Sequence, residues 1–441
     1  MNEYLKTVLE QIRCKKARPF IQQELQEHIE CQIEKNICDG MDYESAEKEA
    51  VKDMGDPIET GILLDRIHKP QIAWKLLFLI VLLSVVGVMT HTMITKQIDG
   101  ATSSISSQYA IHVVVGIIAM LGIYFVDYTL LAKISKLIAV IFMAMCLLTL
   151  FFGECVGGAT CWIRIGRWAI SIQALMLFYV PIYGGIIYQY YGTSYRGLIK
   201  AIAWLVLPVF LVLQMPSIMS AGLMLISMLV MLTMAICNNW FVVHKKKALA
   251  FLWGICMVLP FVVFMGIYFR DILVSYQKEH IRSLIFHSPY DNYMTSTLCS
   301  LLETSQWIGS SGKNISGILP SFNGDYVLMY LSATYGIMVA TLVCCVLASM
   351  ILIIFGIAVK QKNQLGMVMG CGCGMIFLVS FLINVLQNLG NLPPNMTFLP
   401  FLSAGGSYIV VSYGLIGIVL SIYRYKNIYP RHVKLKMTIE S

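Results

Sequence analysis

The sequence predicts an all-α polytopic membrane protein, with about ten transmembrane helices behind a small soluble helical bundle. Three observations carry that expectation. Hydrophobic residues make up 58% of the 441 residues and charged residues only 13%, with a mean hydropathy of +0.72. A soluble domain carries about 25% charged residues, so this chain has too little charge to cover its apolar side chains in water. The charge is also unevenly placed: residues 1–70 hold a net −5 and residues 71–441 a net +13. Finally, apolar stretches of span length recur from residue 73 onward. No basic block interleaved with aromatics appears, which argues against a nucleic-acid partner. HExxH, Walker A and dinucleotide fingerprints are absent, and the 13 cysteines show no metal spacing.

Residues 1–70 open polar and helical, without the apolar run of a signal peptide. Leu5, Val8, Leu9 and Ile12, then Phe20, Ile21, Leu25, Ile29 and Ile33, recur at helical spacing. Gly40 and Gly55 offer helix stops, Asp42 an N-cap, and Asp56-Pro57-Ile58-Glu59 a capped start. A three- or four-helix domain ending near Pro70 follows, with packing or regulation as its expected role.

A span needs roughly 20 apolar residues to cross about 30 Å of hydrocarbon. Ten candidates lie near 73–93, 108–131, 137–153, 168–188, 198–214, 217–237, 248–269, 327–357, 365–387 and 405–423. The fifth and sixth are read as a hairpin split at Pro216-Ser217, because a single 40-residue helix would be about 60 Å long. With the amino-terminal domain placed in the cytoplasm, the inner loops and tail carry 14 Lys/Arg and the outer loops 7. That bias predicts a multi-pass cell-membrane protein with both termini cytoplasmic, including the tail 431–441, and a large extracytoplasmic loop at 270–326.

Three outer segments carry candidate chemistry. Asp325 precedes a long apolar helix, where desolvation would raise its pKa and the helix dipole would lower it. A base and a plain capping acid are both open for it. LPFLSAGGS, residues 399–407, combines Pro400 with Gly405 and Gly406, which allow close approach, and Ser403 and Ser407, which can donate hydrogen bonds. A glycine hinge is the alternative. GATCWIRIGRWAISIQ, residues 158–173, offers Trp162, Arg164, Arg167 and Gln173 for an anionic headgroup, or simply as interfacial anchors. Asp127 is expected to reach the inner headgroups.

Together these residues resemble the SEDS membrane proteins, the group of FtsW, RodA and SpoVE. Asn384, Gly390, Pro393 and Leu399 to Ser407 keep that family's spacing. Leu319-Pro320 with Asp325 and Gly336 form a second match. Gly158, Ala159, Trp162, Ile163, Gly166 and Gln173 form a third, and Leu213 to Pro216 with Ala221 a weaker fourth. The likeness covers residues 71–430. Ahead of it, QELQEHIE, GMDYESAEKEAVKDMGDP and DRIH resemble a cytoplasmic prefix domain of Firmicutes membrane proteins. Departures are plain as well: Ala174-Leu175-Met176, Ala333-Thr334, Ser217-Ile218-Met219 and Asn395 replace family residues, several of them carboxylates.

The resemblance implies a peptidoglycan glycosyltransferase that polymerises lipid II with inversion during division, elongation or sporulation. Asp325 would be its catalytic carboxylate, and Trp162, Arg164, Arg167, Gln173, Asn384, Pro400, Ser403, Gly405, Gly406 and Ser407 would contact substrate. A class B penicillin-binding protein is the implied partner, with other divisome or elongasome proteins beside it. A divalent cation, Mg2+ or Mn2+, is the one cofactor left open, with no metal residues assigned. The lost carboxylates keep two alternatives: a catalytically weak scaffold, or a transporter of a lipid-linked substrate.

Overall fold

The computed structural model describes residues 1–97, 104–156, 159–166, 168–215, 217–269, 293–313, 315–392 and 397–432. The chain opens with four helices, α1 Asn2–Gln11, α2 Arg18–Cys38, α3 Tyr43–Asp53 and α4 Pro57–His68. Leu5, Val8, Ile12, Ile21, Ile29 and Ile33 are buried between them, as their helical spacing requires. Asp42 and Asp56 cap α3 and α4, accepting from the backbone N–H of Ser45 at 3.2 Å and Ile58 at 2.9 Å. Gly40 and Gly55 take positive φ (96° and 76°) at the ends of α2 and α3, where a side chain would be strained.

The apolar part continues through α5 Trp74–Gln97, α6 Ser104–Phe125, α7 Tyr128–Lys133 and α8 Ser135–Phe152. Next comes a three-stranded antiparallel sheet, β1 Glu154–Val156, β2 Ala159–Ile165 and β3 Trp168–Ser171, in the order β1-β2-β3. Then follow α9 Ile172–Leu175, α10 Tyr179–Tyr188, α11 Tyr195–Gln214, α12 Ile218–Cys237 and α13 Lys245–Phe269. Beyond residue 292 lie α14 Tyr293–Thr304, α15 Ile315–Ile318, α16 Val327–Tyr335, α17 Ile337–Val359, α18 Gln364–Asn388 and α19 Gly406–Arg424.

Among the described residues, 8 helices are long and apolar enough to cross a membrane, so the chain is an all-α multi-pass membrane protein. The 217–237 candidate is one of them, and it pairs with α11 as a hairpin around Met215. Several boundaries differ from expectation. The fourth candidate does not start at 168: Trp168–Ser171 is a strand, leaving a shorter apolar helix, Ile172–Tyr188. Ahead of it, in the stretch that separates the third and fourth candidates, β1 and β2 pair antiparallel. The second span ends at Phe125, where Asp127 starts a new helix by accepting from Thr129 N–H at 3.0 Å. The 327–357 stretch is broken at Gly336, whose φ of 104° and ψ of 158° no helix accommodates.

One end of the bundle gathers the basic loops. Gly192 N–H donates to Trp240 O (2.7 Å), Trp240 Nε1 to Gln364 Oε1 (2.6 Å), and Gln364 N–H to Arg431 O (3.1 Å). The amino-terminal helices dock at this same end. Asp127 does not reach outward; it is buried, with Lys16 Nζ at 2.7 Å and the Tyr429 hydroxyl hydrogen-bonded to it. Burial pushes the Asp127 carboxyl up, but Lys16, Tyr429 and Thr129 outweigh it and hold it below the usual carboxylate range. Lys16 is raised in turn: burial lowers it, and its hydrogen bond to Asp127 prevails. The pair therefore adds stability above the ordinary carboxylate range of about pH 4, lost as pH falls through the depressed Asp127 value. At the alkaline side it is lost as pH rises through the raised Lys16 value. Lys16 is half exposed, so the pair should contribute only about 1–2 kcal/mol. Asp127→Asn is expected to speed amide hydrogen exchange of segment 12–20 by roughly fivefold to thirtyfold at neutral pH. Unchanged exchange would contradict the docking role.

Candidate active site

The opposite end of the bundle collects the residues singled out in the sequence. Asp325 closes a turn-rich segment, 320–326, that enters α16. Ser321 begins the turn at φ 52°, a costly conformation for a residue with a Cβ, and its carbonyl accepts from Gly324 N–H at 2.8 Å. Asp325 is not the cap of α16: the N-cap position is Tyr326, without a side-chain bond. Its backbone is held instead by α18. Asn384 Nδ2 and Asn388 Nδ2 both donate to Asp325 O, at 3.0 and 3.1 Å. Asn388 Oδ1 accepts from Met329 N–H at 3.0 Å, fixing the first turn of α16. Asn384 and Asn388 are completely or almost completely buried, so these amides must find partners, and they find them in the Asp325 carbonyl, in Thr397, in the first turn of α16 and in each other.

The LPFLSAGGS segment is stitched to the same loop. Ser403 Oγ donates to Gly324 O (2.8 Å), and Ala404 N–H donates to Asn323 O (2.9 Å). Ser403 Oγ also accepts from Leu399 N–H at 2.7 Å, closing the turn around buried Pro400. Phe401 sits at φ 66°. Such a conformation persists only where neighbours impose it. Here the Tyr109 hydroxyl donates to Phe401 O, and His91 Nε2 lies 2.8 Å from Leu402 O. Gly405 is the N-cap of α19 and supplies no side-chain partner to its first-turn N–H groups. Gly406 packs on the His112 ring, which a Cβ would meet at 2.4 Å. Ser407 Oγ accepts from Ser171 N–H at 3.0 Å, tying β3 to the start of α19.

Gln173 is buried and donates to Ser220 Oγ at 2.7 Å and to Ser217 Oγ, so its amide bridges α9 and the start of α12. Trp162 and Arg164 lie on β2. Trp162 is half-buried against the core, opposite Ser171. Arg164 is exposed and ion-paired with Glu154 at 3.0 Å. Arg167 and Pro393 lie outside the described residues. Asn384 and Ser403 thus bond directly to the Asp325 loop, Pro400, Gly405 and Gly406 lie in or next to the segment stitched to it, Ser407 and Gln173 are tied to β3 and α12, and Arg164 is engaged on the sheet.

The Asp325 side chain is half-buried and has no ion-pair partner among the described residues. Burial pushes its carboxyl up to about 7, against the opposing pull of the Thr397 N–H that donates to it. A carboxyl near neutrality can take a proton from a hydroxyl at physiological pH and pass it on. A small pocket beside it is lined by Ser220, Ser380, Thr397, Phe398 and Tyr408. The sequence reading missed Thr397, Gln387, Asn388 and His91. Two of them share a signal: Gln387 and Asn388 fall at i+3 and i+4 from Asn384 near the end of an apolar span, a polar stripe that must face protein. Among the described residues no group of three or more His, Cys, Asp or Glu could cage a metal. One carboxylate with nearby hydroxyls suits a cation shared with substrate phosphates rather than a protein cage.

Residues 70–428 match the family described as "Cell cycle protein", FtsW/RodA/SpoVE. A putative peptidoglycan glycosyltransferase FtsW of Mesostigma viride is 26% identical over 309 residues, covering 66% of this chain and 68% of its own. A probable peptidoglycan glycosyltransferase FtsW of Bacillus subtilis is 25% identical over 292 residues, covering 63% of this chain and 70% of its own. Among solved structures, a chain of a peptidoglycan synthase complex described for its coordination of polymerization and crosslinking superposes with a TM-score of 0.65. That match has 16% identity and covers 80% of this chain and 98% of that one. The rod shape determining protein RodA of Thermus thermophilus gives 0.55 at 14% identity, covering 80% and 97%. The chain belongs to the FtsW/RodA/SpoVE family of SEDS membrane proteins and carries four additional helices ahead of the family's membrane region.

Proposed function

We propose that the chain is an inverting peptidoglycan glycosyltransferase that polymerises lipid II at the outer face of the cell membrane. The carrying observation is Asp325: a half-buried carboxylate without an ion-pair partner among the described residues, raised toward neutrality, on a loop clamped by Asn384, Asn388 and Ser403. In this reading Asp325 removes the proton from the acceptor sugar's 4-hydroxyl. The oxygen attacks the donor's anomeric carbon, and undecaprenyl diphosphate leaves with the electrons of the broken bond. The open N–H groups at the start of α19 are suited to the departing pyrophosphate. A Mg2+ or Mn2+ ion would enter with the substrate's pyrophosphate and screen its charge, leaving the Asp325 carboxylate free as base. Arg164 would join only by leaving Glu154, and Arg167 is the remaining cationic candidate. The relatives' descriptions as glycosyltransferases support the reaction type. A class B penicillin-binding protein is the proposed partner, supported by the likeness to a chain from a synthase complex that couples polymerization to crosslinking. The test is glycan synthesis from lipid II by wild type against Asp325→Asn.

The reaction requires the Asp325 end outside, and we propose ten passes with the amino-terminal helices cytoplasmic. Supporting it, the basic loops cluster at the end that binds those helices, and the Asp325 loop lies at the other. Glu303, exposed on α14, reports on the second end. Glu303→Cys, in a background lacking Cys155, Cys161 and Cys299, should react with an impermeant thiol reagent in intact cells. Reaction only after lysis would reverse the orientation.

A further inference from the structure

A groove of about 610 Å³ opens at the end of the bundle that binds the amino-terminal helices, far from Asp325. It lies between the start of α5 and the ends of α17 and α19. Its rim carries Lys75, Lys360 and Lys426, and no carboxylate lines it. Among the described residues none of these lysines makes an ion pair, although Lys426 Nζ lies 5.8 Å from the centre of the Tyr423 ring, so three cations face one cleft with no carboxylate against them. Three like charges around one cleft attract an anion to it.

The wall below the rim is apolar. Leu352 and Gly356 stand at i and i+4 on one face of α17 and Lys360 follows at i+8 as its C-cap, a stripe about 12 Å long that descends from the charge into the hydrophobic span. Leu352 is 71% exposed, and a Cβ on Gly356 would meet nothing within 4 Å. The glycine therefore is not there to let another helix approach; it leaves a furrow. Trp74, also 71% exposed, stands at the mouth, where an indole favours the membrane–water boundary. A small soluble anion would use the lysines and leave the furrow empty. An amphiphile uses both.

We propose that this groove is a binding site for an anionic phospholipid, with its phosphate among Lys75, Lys360 and Lys426 and an acyl chain along Leu352 and Gly356. The inference is independent of the catalytic reading. The linker from the amino-terminal helices runs along the same rim, with Gln71 N–H donating to Arg424 O at 3.1 Å. Lipid in the groove would therefore sit beside the junction of the two parts.

The full chain, purified in detergent, is titrated with phosphatidylglycerol or with phosphatidylcholine of the same acyl chains, and bound lipid is counted by native mass spectrometry. Phosphatidylglycerol should saturate one site with roughly tenfold or greater preference. Lys75→Gln/Lys360→Gln/Lys426→Gln should abolish the preference. Gly356→Leu keeps every charge, improves helix propensity and fills the furrow, so it should weaken phosphatidylglycerol about tenfold. Should the triple variant fail to fold, Gly356→Leu decides alone. Equal affinity for the two lipids, or binding untouched by Gly356→Leu, overturns the proposal. Full displacement by millimolar inorganic phosphate would also overturn it, in favour of a soluble-anion site.

Discussion

Asp325→Asn is expected to lower glycan polymerisation by roughly 10²-fold or more while leaving the fold intact. Asparagine matches aspartate in size and can still accept the hydrogen bond from Thr397 N–H. The loop's main clamps act on backbone atoms: Asn384 and Asn388 hold Asp325 O, and Ser403 holds Gly324 O. Loss of the carboxylate therefore removes the proton acceptor without removing the scaffold. The wild-type rate should rise with pH through about 7, because only the deprotonated carboxylate can act as base. The stability effect has the opposite sign. A carboxyl raised in the folded state binds more protons there than when unfolded, so its contribution falls as pH rises from about 4 toward 7. Asp325→Asn should lose that part of the pH dependence in both activity and melting temperature. A variant with wild-type rate would take Asp325 out of the chemistry.

Gly336→Ala should destabilise the chain by about 3 kcal/mol or more. Gly336 sits at φ 104°, ψ 158°, a region essentially restricted to glycine. A Cβ there would also lie 2.7 Å from Trp307 O and 2.8 Å from Ile308 Cα, backbone atoms that cannot swing aside. The segment 306–311 runs along this break, with Ile337 N–H donating to Gln306 O (3.0 Å) and Ser311 N–H to Ala333 O (2.9 Å). Relief of the clash would move α16, whose entry carries Asp325, so activity should fall with stability. Gly222→Ala is the control: it is helical, with nothing within 4 Å of the added Cβ, and should be neutral or slightly stabilising. Thermal unfolding in detergent compares the two. Equal melting temperatures would contradict the account of the break.

The long spans were legible because a membrane forces about 20 apolar residues into each helix. The caps at Asp42 and Asp56 were legible because they act within three residues. Trp168–Ser171 was not, since a short apolar run reads alike as strand or span, and its pairing with β2 is decided by partners across a turn. The break at Gly336 hid inside continuous hydropathy; one glycine marks it, and helices tolerate single glycines. Asp127 was misread for another reason. Its partner Lys16 lies 111 residues away in a helical pair that looked independent. Around Asp325, the spacing of Asn384 and Ser403 was visible, but their function as clamps on main-chain carbonyls was not. Nothing in a residue's type says which backbone oxygen it will meet. Asn388 escaped for the same reason, and Thr397 because it acts on Asp325 through its own backbone N–H, which residue type does not reveal.

The central claim is polymerisation of lipid II, and the direct measurement is a glycan ladder on a gel. The purified full chain, with its class B penicillin-binding protein and divalent cation, is incubated with lipid II alongside a FtsW that keeps the family's full set of carboxylates. The account predicts a ladder from the wild type that disappears in Asp325→Asn. No product from this chain, under conditions where the comparison FtsW polymerises, would contradict it and leave the scaffold reading in its place.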